Sequence, residues 1–130
     1  MSLRARVLVV DDEPAICAII VRILRAEHDV FATTDVTDAL SRIHAGERFD
    51  VILSDVMMPV MLGTAFHAAV SAIDPAQARR LVFVTASRLS EGVAAYLSTV
   101  PNVVLEKPFG PSALLALVQG VIVSEIDPIN

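Results

Sequence analysis

Four short apolar runs in this sequence each end at a polar residue that can handle a phosphoryl group. The first run ends at Asp11-Asp12, the second at Ser54-Asp55, the third at Thr85 and the fourth at Glu106-Lys107. If the runs are parallel strands of one sheet, their carboxyl ends share an edge, and open α/β folds bind their ligands at that edge. We therefore expect residues that are far apart in the sequence to form one site.

Three carboxylates at one strand edge repel one another unless a cation joins them or one of them takes up a proton. Asp11, Asp12 and Asp55 form such a set, and their hard oxygen ligands favour Mg2+, because zinc prefers histidine or cysteine. Taken singly, Asp11-Asp12 could instead begin a loop and cap the next helix, and Asp55 could be a turn residue. Their occurrence together at the ends of inner strands favours a metal site.

Lys107 is the only lysine of the chain, since the other nine basic residues are arginines. A compact ammonium can meet a phosphoryl oxygen or a carboxylate in a tight pocket where a planar guanidinium does not fit. Thr85 can donate a hydrogen bond from its hydroxyl, although threonine is also a common strand residue. Pro108 follows Lys107, and an X-Pro bond in a tight turn is a candidate for the cis form.

Helical periodicity separates the apolar runs, so that strands and helices alternate along the chain. Strands that are apolar on both faces indicate a parallel sheet that is covered on both sides and joined by right-handed crossovers. The sequence thus predicts an α/β fold, a doubly wound (βα)5 three-layer sandwich. The predicted strands are 7–10, 29–33, 51–53, 81–85 and 103–106, and the predicted helices are 14–27, 35–45, 64–72, 90–98 and a last one from 111.

Several details of these helices are also predicted. Asp35 and Ser90 are expected to cap helices, Gly46 to end one, and Asp74-Pro75 to break the chain. The first helix should bury one apolar stripe, made of Ile16, Ile19, Ile20, Ile23 and Leu24.

Composition limits the classes of protein that the chain can represent. An apolar fraction of 55% in 130 residues predicts one domain over 1–130, with its core at about 5–122, a leader at 1–3 and a loose tail at 124–130. The net charge of −5 and the scattered basic residues argue against direct binding to nucleic acid. No apolar stretch has the length of a signal peptide or a membrane span, so we expect no membrane insertion.

The single cysteine, Cys17, allows neither an intrachain disulfide nor a thiolate metal cluster, and this predicts a reducing, cytoplasmic location. We expect Cys17 to be a semi-buried helix residue. The three histidines, His28, His44 and His67, lack ligand spacing and are expected to lie on the surface.

With these motifs in order, the chain resembles the receiver domain of two-component response regulators over about residues 5–122. The matching residues are Asp11-Asp12, Asp55 within D-V-M-M-P-V-M-L-G, Thr85-Ala86 and Lys107-Pro108-Phe109. The resemblance implies a flavodoxin-like sheet of order 2-1-3-4-5. It also implies that Asp55 takes a phosphoryl group from a histidine kinase or a phosphotransfer protein, so that the domain is a self-phosphorylating and autodephosphorylating signalling module and not an enzyme in the usual sense.

The resemblance assigns further roles. Asp12, Asp55 and the backbone carbonyl of Met57 would bind Mg2+ directly and Asp11 mainly through water, while Lys107 and Thr85 contact the phosphoryl oxygens. Met57 and Ser87 hold the positions that influence hydrolysis in this family, and the methionine implies slow autodephosphorylation.

One departure from the family pattern concerns Val104, which replaces the aromatic residue that many receivers carry three positions before the lysine. The sequence therefore predicts no coupling through an aromatic rotamer at Val104.

Two other functions remain open. A haloacid-dehalogenase-type phosphatase also uses Asp, Thr/Ser and Lys, although its D-x-D spacing does not match Asp11-Asp12-Glu13. A pseudo-receiver that binds partners without phosphorylation is the other alternative.

The output partner is expected on another chain or on a segment beyond this one, in the manner of a receiver joined to a hybrid sensor kinase. The charge-poor fourth predicted helix, the last strand and the last helix favour a face for homodimerisation or docking.

Overall fold

The five strands form one parallel sheet, and their order across the sheet, numbered along the chain, is 2-1-3-4-5, as predicted. The computed structural model of the chain describes residues 4–86 and 89–126. The leader at 1–3 and residues 127–130 of the expected tail lie outside these ranges, and the last helix continues to Ile126. In chain order the elements are β1 (Arg6–Val10), α1 (Pro14–Leu24), β2 (Asp29–Thr33), α2 (Val36–His44), β3 (Val51–Asp55), α3 (Gly63–Ile73), α4 (Pro75–Arg79), β4 (Leu81–Thr85), α5 (Glu91–Ser98), β5 (Val104–Glu106) and α6 (Pro111–Ile126).

Two apolar cores lie on opposite faces of the sheet. Successive strand residues point to opposite faces, so Leu8 and Val10 join the core beneath α2, α3 and α5, while Val7 and Val9 join the core beneath α1 and α6. All five residues of β3 and all five of β4 are buried. This confirms the doubly wound three-layer sandwich.

Local sequence signals account for several helix boundaries. The Asp35 carboxylate accepts a hydrogen bond from the Thr37 N–H, and the Ser90 hydroxyl accepts one from Val93 N–H, as expected of N-caps. Gly46 has a φ of +104°, which suits a glycine just after the end of α2.

Helix α4 is the element that the sequence analysis missed. Asp74-Pro75 was expected only to break the chain, but Asp74 accepts hydrogen bonds from the N–H groups of Ala76 and Gln77 and begins this short helix. A capping residue followed by proline is a helix start as well as a break. The predicted fourth and last helices are therefore α5 and α6.

Three predictions of burial are wrong, and the first two concern Ile19 and His28. Ile19 was placed in the inner stripe of α1 but its side chain is 49% exposed, because α1 turns Cys17, Ile20 and Leu24 toward the sheet. His28 was expected on the surface but is 1% exposed, and its Nδ1 accepts a hydrogen bond from the Ala5 N–H at 3.2 Å. The imidazole thereby satisfies a backbone donor just before β1.

Within the described residues, none of the helices combines the length and the apolar run needed to cross a bilayer.

Candidate functional site

The register of the sheet brings the predicted site residues together. Val10 pairs with Ser54, so the next residues, Asp11 and Asp55, lie side by side at the carboxyl ends of β1 and β3. Asp55 in turn pairs with Val84, which precedes Thr85. Thr85 pairs with Glu106, and the Lys107 N–H donates to the Thr85 carbonyl at 2.7 Å. One edge of the sheet therefore carries all four predicted positions.

Three carboxylates form a compact acidic cluster at this edge. One oxygen from each of Asp11, Asp12 and Asp55 lies within 4.8 Å of the others. Asp11 and Asp55 are 2% and 6% exposed, and Asp12 is more open to solvent. A hard cation is bound by several oxygen ligands at one point, and this donor set fits Mg2+.

Lys107 reaches the cluster from the end of β5. Its Nζ lies 3.1 Å from Asp11 Oδ2 and 3.6 Å from Asp55 Oδ1. Burial by itself lowers the pKa of the ammonium, but the hydrogen bond to Asp11 and the charges of Asp55 and Asp11 outweigh burial, so that the pKa of Lys107 is raised. Lys107 thus stays charged beside the acidic residues. The peptide bond from Lys107 to Pro108 is cis.

The surroundings of Asp55 disfavour its charged form. Burial, then the negative charge of Asp11, raise its pKa from 3.8 to about 6; the charge of Lys107 opposes this shift, and a hydrogen bond and the charge of Asp12 add to it. One ammonium therefore does not neutralise three carboxylates, and an additional cation would relieve the remaining repulsion.

Asp11 is held by contacts to the start of α1. Its Oδ1 accepts a hydrogen bond from the Glu13 N–H at 2.9 Å, and the Cys17 thiol donates to its backbone carbonyl at 3.3 Å. Burial, followed by the Asp11 charge, raises the pKa of the Cys17 thiol and keeps it neutral. These bonds leave Asp11 Oδ2 directed at Lys107.

The other predicted positions differ in their exposure to solvent. The Thr85 hydroxyl is buried and donates to the Ala86 carbonyl at 3.0 Å. Met57 is 50% exposed on the loop after β3, and Val104 is 44% exposed on the edge strand. Ser87, expected to influence hydrolysis, lies outside the described residues.

Gly63 approaches the backbone of the site closely. Its N–H donates to the Val56 carbonyl at 2.7 Å. A Cβ added at Gly63 would overlap the Asp55 carbonyl oxygen and lie 2.8 Å from the Val56 Cα. The sequence analysis had no signal for this contact beyond the glycine itself.

His67 is a further correction, because it was expected on the surface and is 7% exposed. Its Nδ1 lies 2.7 Å from the Tyr96 hydroxyl. The two residues are 29 positions apart on α3 and α5, so no local pattern in the sequence could indicate their contact.

Comparison with known proteins agrees with this geometry. The family model of the response regulator receiver domain matches residues 7–119. Protein Rrf1 of Nitratidesulfovibrio vulgaris is 34% identical over 117 residues, which cover 88% of this chain and 80% of that protein. The DNA-binding response regulator MtrA of Mycolicibacterium smegmatis is 30% identical over 119 residues, or 91% of this chain and 50% of MtrA. The chain thus spans half the length of that relative.

Solved structures show the same architecture. The chemotaxis protein CheY4 of Vibrio cholerae superposes with a TM-score of 0.79 at 33% identity, covering 92% of this chain and 99% of CheY4. A CheY-like receiver domain protein of Methanospirillum hungatei gives a TM-score of 0.84 at 25% identity, with coverages of 95% and 98%. The chain belongs to the response regulator receiver domain family, as the motifs predicted.

Removing the charge of Asp55 is expected to stabilise the metal-free protein at neutral pH. Because the folded state raises this pKa from 3.8 to about 6, the group stabilises the fold below pH 3.8 and this contribution is lost as the pH rises through about 6. The free energy of unfolding of Asp55→Asn should therefore exceed that of the wild type by about 1–3 kcal/mol near pH 7.5 in EDTA. The difference should shrink toward pH 4, as measured by urea unfolding.

Glu106→Gln, an exposed change at the end of β5, is the matched control and should alter stability little. Added Mg2+ should stabilise the wild type more than Asp55→Asn, because a ligand stabilises the state that binds it. If Asp55→Asn is less stable than the wild type at neutral pH in EDTA, the charge of Asp55 does not destabilise the metal-free fold and the prediction is wrong.

Gly63→Ala is expected to lower the free energy of unfolding by about 1–3 kcal/mol, because the new methyl forces the Asp55–Val56 backbone to shift. Its Mg2+ affinity, measured by calorimetry, should fall as well. Gly92→Ala is the control: the added Cβ meets nothing within 4 Å, and α5 should gain about 0.5–1 kcal/mol. Equal behaviour of the two variants would show that Gly63 does not position the site.

Proposed function

We propose that this receiver domain is the phosphoacceptor of a two-component phosphorelay, which takes a phosphoryl group from the phosphohistidine of a histidine kinase or a phosphotransfer protein onto Asp55. The observation that carries the proposal is the Lys107 ammonium, 3.1 Å from Asp11 and 3.6 Å from Asp55, beside a three-carboxylate cluster. The cluster supplies a nucleophile and metal ligands, and the lysine supplies positive charge.

The transfer is a displacement at phosphorus. An Asp55 oxygen forms a bond to phosphorus while the bond from phosphorus to the donor's imidazole nitrogen breaks, and that nitrogen keeps the electron pair. The Lys107 ammonium donates a hydrogen bond to a phosphoryl oxygen as negative charge redistributes. The Thr85 hydroxyl donates a hydrogen bond to an oxygen of the attached phosphoryl group. The domain thus catalyses its own modification.

Magnesium is the cofactor in this proposal. Asp12, Asp55 and the Met57 carbonyl would hold Mg2+ directly, and Asp11 mainly through water; when bound, the ion supplies charge that offsets the carboxylate repulsion and stabilises the phosphoryl oxygens. Support comes from the three carboxylates, which have oxygens within 4.8 Å of one another, and from the pKa of Asp55, which burial and then the charge of Asp11 raise.

Phosphorylation is proposed to switch the binding of partners. Val103, just before β5, Val104 of β5 and Val123 of α6 are 45%, 44% and 52% exposed, and this apolar character favours homodimerisation or docking at α5, β5 and α6. We place the domain in the cytoplasm, where its phosphoryl donor would act and where the single cysteine stays reduced.

The proposal is tested by incubation with Mg2+ and acetyl phosphate or phosphoramidate, followed by mass spectrometry. We expect the stable gain of one phosphoryl group, its loss in Asp55→Asn, and a rate at least about 100-fold lower in Lys107→Ala, where a preorganised donor is missing. Glu106→Gln should react like the wild type. Multiple turnover of phosphate esters would indicate a phosphatase instead, and no modification would indicate a pseudo-receiver.

Slow autodephosphorylation is predicted from Met57, whose half-exposed side chain has no group to hold an attacking water by strong hydrogen bonds. Met57→Asn adds an amide there and should shorten the phosphoryl half-life about fivefold, the equivalent of one hydrogen bond of about 1 kcal/mol. Loss of radiolabelled phosphate measures this. Val60→Asn, in the same loop and 73% exposed, is the control. A half-life shorter in the wild type than in Met57→Asn would refute the prediction.

A further inference from the structure

One hydrogen bond ties α5 to α3. The Tyr96 hydroxyl lies 2.7 Å from His67 Nδ1, and the two rings meet edge to face with their centroids 5.8 Å apart. The His67 ring also packs against Phe83 of β4, at a centroid distance of 5.4 Å. His67 therefore contacts both the strand that leads to Thr85 and the helix that follows it.

The surroundings of His67 define the direction of the bond. Burial lowers the pKa of His67, and hydrogen bonds to the Asn102 side chain and the Ala78 backbone partly offset this shift. A hydrogen bond that raises a histidine pKa is one that the ring N–H donates. We assign the proton to the nitrogen opposite Nδ1, so that Nδ1, which lies 2.7 Å from the Tyr96 hydroxyl, accepts a hydrogen bond from it.

Helix α5 has few other anchors. Its only fully buried side chain is Val93, and Tyr96 and Leu97 are half-buried. By comparison, α1, α2, α3 and α6 each bury at least three side chains. An element with few buried apolar contacts needs little free energy to open, so a single hydrogen bond is a large fraction of what holds α5 in place.

The bond lies close in the chain to the phosphoryl site. Phe83 and Thr85 are two residues apart on β4 and point to the same face, and α5 begins at Glu91. The Thr85 hydroxyl is bonded to the Ala86 carbonyl, so it must leave that carbonyl to reach a phosphoryl group on Asp55. That rotation frees the carbonyl of Ala86, the first residue after β4 on the way to α5, from its side-chain hydrogen bond.

We propose that the hydrogen bond from Tyr96 to His67 holds α5 against α3 while Asp55 is unmodified, and that this bond breaks when Asp55 carries a phosphoryl group. The inference rests on the proposed phosphoacceptor function and adds the element through which it is regulated. In this proposal the rings of Phe83, His67 and Tyr96 take over the coupling role of the aromatic residue that many receivers carry on β5, where this chain has Val104. Coupling is reciprocal: removing the bond favours the switched arrangement and hence the phosphorylated site.

The experiment uses beryllofluoride with Mg2+ as the probe of the phosphorylated state. Tyr96 is the only tyrosine and the chain has no tryptophan, so the 13C NMR signal of its Cζ reports on this hydroxyl alone. Saturating probe should move the signal to the position of a water-exposed tyrosine. Tyr96→Phe, which keeps the ring, should bind the probe about two- to tenfold more tightly, the equivalent of one net hydrogen bond.

Ser98→Ala is the matched control, because it removes a hydroxyl from the same helix, and among the described residues that hydroxyl bonds to the Ala95 carbonyl of α5 itself. It should bind the probe as the wild type does. An unchanged tyrosine signal at saturation, or equal probe affinity for Tyr96→Phe and the wild type, overturns the inference and leaves the phosphoacceptor function intact. A wild type that binds no probe overturns both.

Discussion

Repulsion among buried carboxylates is the constraint on which the rest of this site depends. Asp11 and Asp55 lie side by side with little access to water, and Asp12 adds a third charge within 4.8 Å. Lys107 relieves part of this repulsion, but burial and then the charge of Asp11 still raise the pKa of Asp55. Such a site persists only because a rigid scaffold holds it. The two apolar cores on either face of the sheet supply that rigidity.

The central strands of the sheet and α5 differ in how firmly packing holds them. β3 and β4 are buried over their whole length, so the Asp55 carboxylate and the Thr85 hydroxyl are held at defined positions. α5 has one fully buried side chain and one hydrogen bond to α3. In the proposed switch, a change of charge at Asp55 shifts the population of α5, the helix with the fewest buried side chains among the five longer helices.

Much of the fold could be predicted because its signals are local. Apolar runs that end at polar residues indicated the strands, and the strand order followed from the resemblance. The site followed from the fold, since parallel strands end at one edge. The errors also have local causes: Asp74-Pro75 begins a helix with the same residues that break a chain, and Ile19 fits the helical period of α1 but lies on the far side of the stripe that the sheet covers.

The sequence by itself determined every strand and every helix except α4, and the polar residues that converge at one edge of the sheet, because periodicity and capping act over a few residues. Only the tertiary structure decided that His28 and His67 are buried, that Gly63 abuts the Asp55 backbone, and that His67 meets Tyr96. Such contacts join residues that are distant in the chain. They depend on how each helix is rotated and displaced on the sheet, and that placement results from the packing of all side chains at once.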